Sequence, residues 1–158
     1  MIDASVLTDV MTKQFDMLYW ISYNILHSQQ DAQDAVQQGF LNAWAHRRAA
    51  QPDRVLAWLT RIVINECHNI HRYRKRVSPQ ERIEQFGTFA SPDVDVSTAI
   101  AALPEKLRIP FLLKYLSGYS EREIAQVYQV PVSTVKNRLF KARKILKGTL
   151  SDTEVTFS

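Results

Sequence analysis

The sequence predicts an all-α protein built as two small helical domains joined by a linker. Three observations carry that expectation. Apolar residues recur at helical spacing along most of the 158 residues, with no sustained period-two alternation and no Asn-Gly or Asp-Gly hairpin turn. The helical pattern lapses once, over residues 77–96. Four Gly, six Pro and 46% hydrophobic residues make a composition that can bury a core rather than a disordered one.

Each element has its own signal. Leu7, Met11, Phe15, Leu18 and Ile25 follow a 3.6-residue period, which predicts a first helix from about Ser5 to Leu26. Ser28 suits the N-cap of a second helix running to about His46. The loop RRAAQPD follows, and Pro52 fits the first turn of a third helix ending near Arg76. The stretch VSPQERIEQFGTFASPDVDV has two Pro, one Gly and no apolar period, so residues 77–96 read as a linker between domains at 1–76 and 97–148. Pro104 suits the first helical position of LPEKLRIPFLLKYLSG, Gly118 its stop, and Pro110 removes a backbone donor and should bend it. Ser120 and Glu123 form a capping box for a short helix through Tyr128. In the turn that follows, Gln129 stands where a left-handed backbone favours Gly. A basic helix then runs to about Gly148, and residues 149–158 read as a disordered tail.

Several function classes are excluded. There is no Gly-rich phosphate loop, no G-x-S-x-G and no distinctive carboxylate pair, so no enzyme chemistry, catalytic residue or cofactor is expected. Cys67 and His71 lie one turn apart, but a structural zinc site usually needs four ligands, so no metal is expected either. The single cysteine rules out an intramolecular disulfide. The opening Met-Ile-Asp lacks a basic region followed by an apolar run, and no stretch approaches ~18 apolar residues, so neither a signal peptide nor membrane insertion is expected. A cytoplasmic protein fits these features.

The formal charge of +4 is modest, so its placement matters more than its size. On the last helix, Leu139, Ala142 and Leu146 fall within ~40° of Val135 and form one apolar stripe. Ser133, Lys136, Asn137, Phe140, Lys141, Arg143, Lys144 and Lys147 fill the other side, and no acidic residue lies between Ser133 and Lys147. A solvated helix would mix Glu with Lys and would not leave an aromatic ring among its charges. A helix in the DNA major groove uses this combination: cations for phosphates, amide and hydroxyl for base edges, an apolar group for a thymine methyl. The run SEREIAQVYQVPVSTVKNRL reads as helix–turn–helix, with small Ala125 at the crossing and Ile124, Val130, Val135 and Leu139 in the packing.

LPEKLRIPFLLKYLSGYSEREIAQVYQVPVSTVKNRLFKARKILK resembles region 4 of the extracytoplasmic-function (ECF) group of sigma-70 factors. DAQDAVQQGFLNAW followed by AWLTRIVINECHNIHRYRKR resembles region 2. The two blocks cover most of the chain in the family's order. Gln33 and Gln38 stand where the family usually has Glu, and Gly39 where it usually has Thr. The resemblance implies a transcription initiation factor that binds core RNA polymerase, recognises −35 and −10 promoter elements and promotes melting.

It also assigns roles to faces. On the second helix Gln37, Gln38 and Leu41 lie within ~60° of Asp34, opposite the apolar side. The resemblance gives these four residues to the β′ clamp helices, and the second domain to the β flap. On the third helix Val55, Leu56, Ile62, Val63 and Ile70 cluster within ~60° of Leu59 as the core side. Trp58, Arg61, Asn65, His68, Asn69, Arg72 and Arg76 share another face, whose cations, amides and ring suit single-stranded DNA. In the family, this helix and the loop before it capture the −10 strand. Trp58 fits that face and the core equally well, and Glu66 points into the apolar sector as if toward an unseen Arg. On the last helix the −35 contacts fall to Ser133, Thr134, Lys136, Asn137, Arg138, Phe140, Lys141, Arg143 and Lys144. By resemblance an anti-sigma factor is a further partner. The acids Glu81, Glu84, Asp93 and Asp95 either thread the polymerase RNA-exit channel or belong to an inert tether. Two other readings compete: a helix–turn–helix regulator that binds duplex DNA without polymerase, and an interaction module with no DNA affinity.

Overall fold

The computed structural model describes residues 2–77 and 95–150. Residues 78–94, with Glu81, Glu84 and Asp93, and residues 151–158, most of the expected tail, lie outside them. Within the described residues every regular element is helical, and the chain divides into two compact units.

The first unit is a three-helix packing. Helix α1 (Ala4–Leu26) begins close to the expected Ser5 and is capped by Asp3, whose carboxylate accepts from the Ser5 N–H at 3.3 Å. Helix α2 (Gln29–Ala45) is capped by Ser28, whose hydroxyl accepts from the Asp31 N–H at 3.2 Å. Two 3-10 turns, Arg47–Ala49 and Pro52–Arg54, lead into α3 (Val55–Val77). Leu18, Val36, Ala43, Leu59 and Val63 form the main core, with Ile2, Leu7, Ala50 and Val55 as a second cluster beneath it.

Three expectations change here. Phe15 is not core but rim, stacked on Tyr19 and edge-on to Phe40 at a centroid distance of 6.2 Å. The buried side of α3 is wider than the arc about Leu59: Val55, Leu59 and Val63 are buried, but so are Ala57, Thr60, Ile64 and Cys67, while Leu56, Ile62 and Ile70 are only half-buried. The cause is that α3 packs on both α1 and α2, so more of its circumference is covered than one apolar arc. Glu66 therefore sits at the edge of the core, and its partner is no arginine: its Oε1 accepts from Asn42 Nδ2 at 2.7 Å.

Four helices follow: α4 (Val96–Ala101), α5 (Glu105–Tyr115) and α7 (Val132–Thr149) belong to the second unit, as does α6 (Glu121–Tyr128) up to Ala125. Helix α4 is too short to show a period in the sequence. Its cap is Asp95, which accepts from the Thr98 N–H at 2.8 Å, a bond that holds the carboxyl below its ordinary value. Both ends assigned to the linker are thus helical, Val77 closing α3 and Asp95 with Val96 opening α4. Thr149 likewise still belongs to α7, and Leu150 is buried, so the expected tail begins too early.

Pro104 is the N-cap of α5 and not its first helical residue; its carbonyl accepts from the Leu107 and Arg108 N–H groups. Helix α5 runs through Pro110, with all of Leu107–Leu113 buried. Arg108, only 3% exposed, donates through Nη1 to the Leu103 carbonyl at 2.6 Å and ties the α4–α5 turn to α5. Gly118, at φ 77°, turns the chain so that the Tyr119 N–H reaches the Leu113 carbonyl. The capping box forms: Ser120 and Glu123 exchange side chain-to-backbone bonds, both 3.0 Å. Gln129 takes the left-handed φ of 54° expected of the turn, and the Val130 N–H closes onto the Ala125 carbonyl at 3.1 Å.

Candidate nucleic-acid interface

Helix α7 presents two chemically opposite sides. Val135, Leu139, Ala142 and Leu146 are all buried, which fixes the rotation of the helix about its axis. That rotation leaves Ser133, Lys136, Asn137, Phe140, Lys141, Lys144 and Lys147 exposed; Thr134, Arg138 and Arg143 are half-buried. Phe140 is 59% exposed among these cations, an energetically unfavourable place for a ring unless something covers it. Arg143 is not wholly free for a phosphate, because its Nη1 donates to the Tyr115 hydroxyl of α5 at 2.9 Å.

At the first residue of α6, the start of the motif is pinned electrostatically. Lys114 of α5 reaches Glu121 at 2.8 Å. That hydrogen bond outweighs desolvation and, with the nearby charges of Lys136 and Arg143, holds the Glu121 carboxyl below its ordinary value of 4.5. Acidity is thus absent from the exposed side of α7 itself and enters from α6.

On α3, Asn65, Asn69, Arg72 and Arg76 are exposed, and Arg61 and His68 are half-buried on the same side. Trp58 resolves toward the core: it is half-buried and packs against both apolar clusters. Sequence reasoning did not single out Arg74, which pairs across to Asp31, a nearly buried carboxylate at the start of α2.

Asp34, Gln37, Gln38 and Leu41 do come together. They form one wall of a groove whose opposite wall is α3, through Glu66, Ile70, Tyr73, Arg74 and Val77. Leu41, Tyr73 and Val77 are 64%, 59% and 61% exposed, so the groove has three unpartnered apolar groups set between charges. The α3 wall was missed because its apolar members are interleaved with the basic run RYRKR; the spacing Ile70–Tyr73–Val77, three and four residues, was the available signal. Among the described residues no group of three or more His, Cys, Asp or Glu is placed to hold a metal ion, and no helix is long and apolar enough to cross a membrane.

These two units correspond to known sequence families. Residues 12–77 match the family described as Sigma-70 region 2, and residues 93–146 the one described as Sigma-70, region 4. The chain is 33% identical over 146 residues to the RNA polymerase sigma-H factor of Pseudomonas aeruginosa, covering 79% of this chain and 76% of that protein. It is 26% identical to the ECF RNA polymerase sigma factor SigW of Bacillus subtilis, covering 95% of this chain and 91% of that protein. In fold it is similar to the sigma factor RpoE solved with the anti-sigma factor NepR from Bartonella quintana, with a TM-score of 0.72 at 24% identity over 95% of this chain and 97% of that one. It is similar too to CnrH in complex with the cytosolic domain of CnrY, with a TM-score of 0.71 at 24% identity over 96% and 92% of the two chains. With a region 2 unit, a region 4 unit and relatives that span its length, the chain belongs to the ECF group of sigma-70 RNA polymerase sigma factors.

Proposed function

We propose that this chain, as an ECF sigma factor, acts in the cytoplasm without chemistry of its own, joining core polymerase and selecting its promoters. The α2 side of the groove, Asp34, Gln37, Gln38 and Leu41, meets the β′ clamp helices. The exposed side of α3 (Arg61, Asn65, His68, Asn69, Arg72 and Arg76, with Trp58 at its edge) holds the melted −10 strand. Helix α7 enters the major groove of the −35 element, Lys136, Asn137, Phe140 and Lys141 at base edges and Arg143 and Lys144 at phosphates, with Ser133, Thr134 and Arg138 beside them. The second unit also meets the β flap, and an anti-sigma factor holds the chain inactive.

The observation that carries this reading is the acid-free exposed side of α7 with Phe140 uncovered, on a helix whose opposite stripe is fully buried. Cations there supply salt-dependent affinity, while amides and the ring supply discrimination. The groove on the first unit favours a polymerase partner over a regulator that binds duplex DNA alone, because such a regulator has no use for exposed Leu41, Tyr73 and Val77. In vitro transcription with core polymerase from the source species tests binding, promoter choice and melting together. Transcripts that depend on the added chain are expected. Tight duplex binding without core polymerase, and no transcript with it, would establish the regulator instead.

A further inference from the structure

Glu66 lies between the α2 side of the groove and the single-strand side of α3. We propose that Glu66 is a positioning residue that links them, so that contact of α2 with polymerase and presentation of Asn69 and Arg72 to melted DNA are coupled. This coupling presupposes the two assignments made above.

Five side chains form one hydrogen-bonded chain. Gln38 Nε2 donates to Asn42 Oδ1 at 3.0 Å, and Asn42 Nδ2 donates to Glu66 Oε1 at 2.7 Å. The same carboxylate oxygen accepts from Asn69 Nδ2 at 3.4 Å, and Asn69 Oδ1 accepts from Arg72 Nη2. Asn42–Glu66 is the one step of this chain that crosses between helices; the others span three or four residues along α2 or α3. Two members have no choice of role. An ionised carboxylate only accepts, and a guanidinium only donates. Asn42 must therefore turn its amide nitrogen to Glu66 and its oxygen to Gln38. Asn69 must turn its nitrogen to Glu66, which leaves its oxygen toward Arg72. Flipping Asn42 or Asn69 breaks two bonds, and Asn42 holds the carboxylate to which Asn69 donates, so the placement of Asn69, which a base edge would read, depends through Glu66 on Asn42 and on the Gln38 bonded to it.

The test uses holoenzyme reconstituted with core polymerase and a fluorescent single-stranded oligonucleotide selected from a random pool on the wild-type holoenzyme. Asn42 is not on the α3 side, yet Asn42→Ala is expected to weaken capture of that strand about ten-fold, the scale of one hydrogen bond to a charged group. Asn69→Ala should do the same, and the double variant should be no weaker than either single one. Glu66→Gln keeps an acceptor oxygen and should restore near-wild-type capture, whereas Glu66→Ala should not. A merely structural role would lower the thermal stability of the chain without producing that non-additivity or that rescue. Unchanged capture by Asn42→Ala, or additive losses in the double variant, would overturn the coupling alone. If Asn69→Ala and Arg72→Ala both leave capture unchanged, the single-strand assignment of α3 falls, and the coupling falls with it.

Discussion

Gly39 decides how closely α2 and α3 approach. A Cβ at this position would lie 2.8 Å from Val63 Cγ2 and 3.1 Å from Val63 Cα, and a valine side chain cannot swing away. Glycine in mid-helix costs about 1 kcal/mol relative to Ala, yet overpacking typically costs about 1–3 kcal/mol. Gly39→Ala should therefore lower stability in a urea melt despite its better helix propensity, and the loss should shrink in a Val63→Ala background. Single residues of α7 should fail in different ways. Lys144→Ala should weaken holoenzyme binding on all duplex sequences and lower the salt slope by about one. Lys136→Ala or Asn137→Ala should instead cost ~1–3 kcal/mol on the cognate −35 sequence alone. Uniform losses from all three would make α7 an electrostatic anchor with specificity elsewhere.

At the scale of elements, what was legible depended on whether a helix has one buried side. Helices α2 and α7 do, and the arcs read from Asp34 and Val135 match their exposed and buried residues. Helix α3 packs on two neighbours, so a single apolar arc caught Val55, Leu59 and Val63 but not the rest of its core side, and left Glu66 without a partner. Helix α4 has six residues, fewer than two turns, and its cap Asp95 reads as one more acid of the linker. The groove was half visible, because the apolar spacing of its α3 wall is masked by the basic run RYRKR; the α2 residues were found and Tyr73, Arg74 and Val77 were not. The α5–α6 junction offers a test in pH. Glu121 is held below 4.5 chiefly by Lys114, so its pairing stabilises the fold above that value and is lost as pH falls through the depressed one. Circular dichroism-monitored urea unfolding of the whole chain should show wild type more stable than Glu121→Gln at neutral pH. That gap should close on acidification below 4.5; a gap independent of pH would mean the charge contributes nothing.

For the molecule as a whole, two units with separate cores allow each activity to be removed without the other. Asp34→Lys with Leu41→Arg should abolish retention on immobilised core polymerase while circular dichroism stays normal, since both side chains point into solvent. Retention at the wild-type level would remove the α2 assignment. A different use follows from Cys67, the chain's one cysteine, sealed beneath α3 in the first unit. A sulfhydryl reagent can reach it only in the moments when α3 lifts from its neighbours, so the rate of alkylation clocks that opening directly. Such a clock needs no engineered label. It should run faster in Gly39→Ala and slow when core polymerase clasps the unit. Equal rates in the free chain and in holoenzyme would mean that polymerase leaves the breathing of α3 untouched.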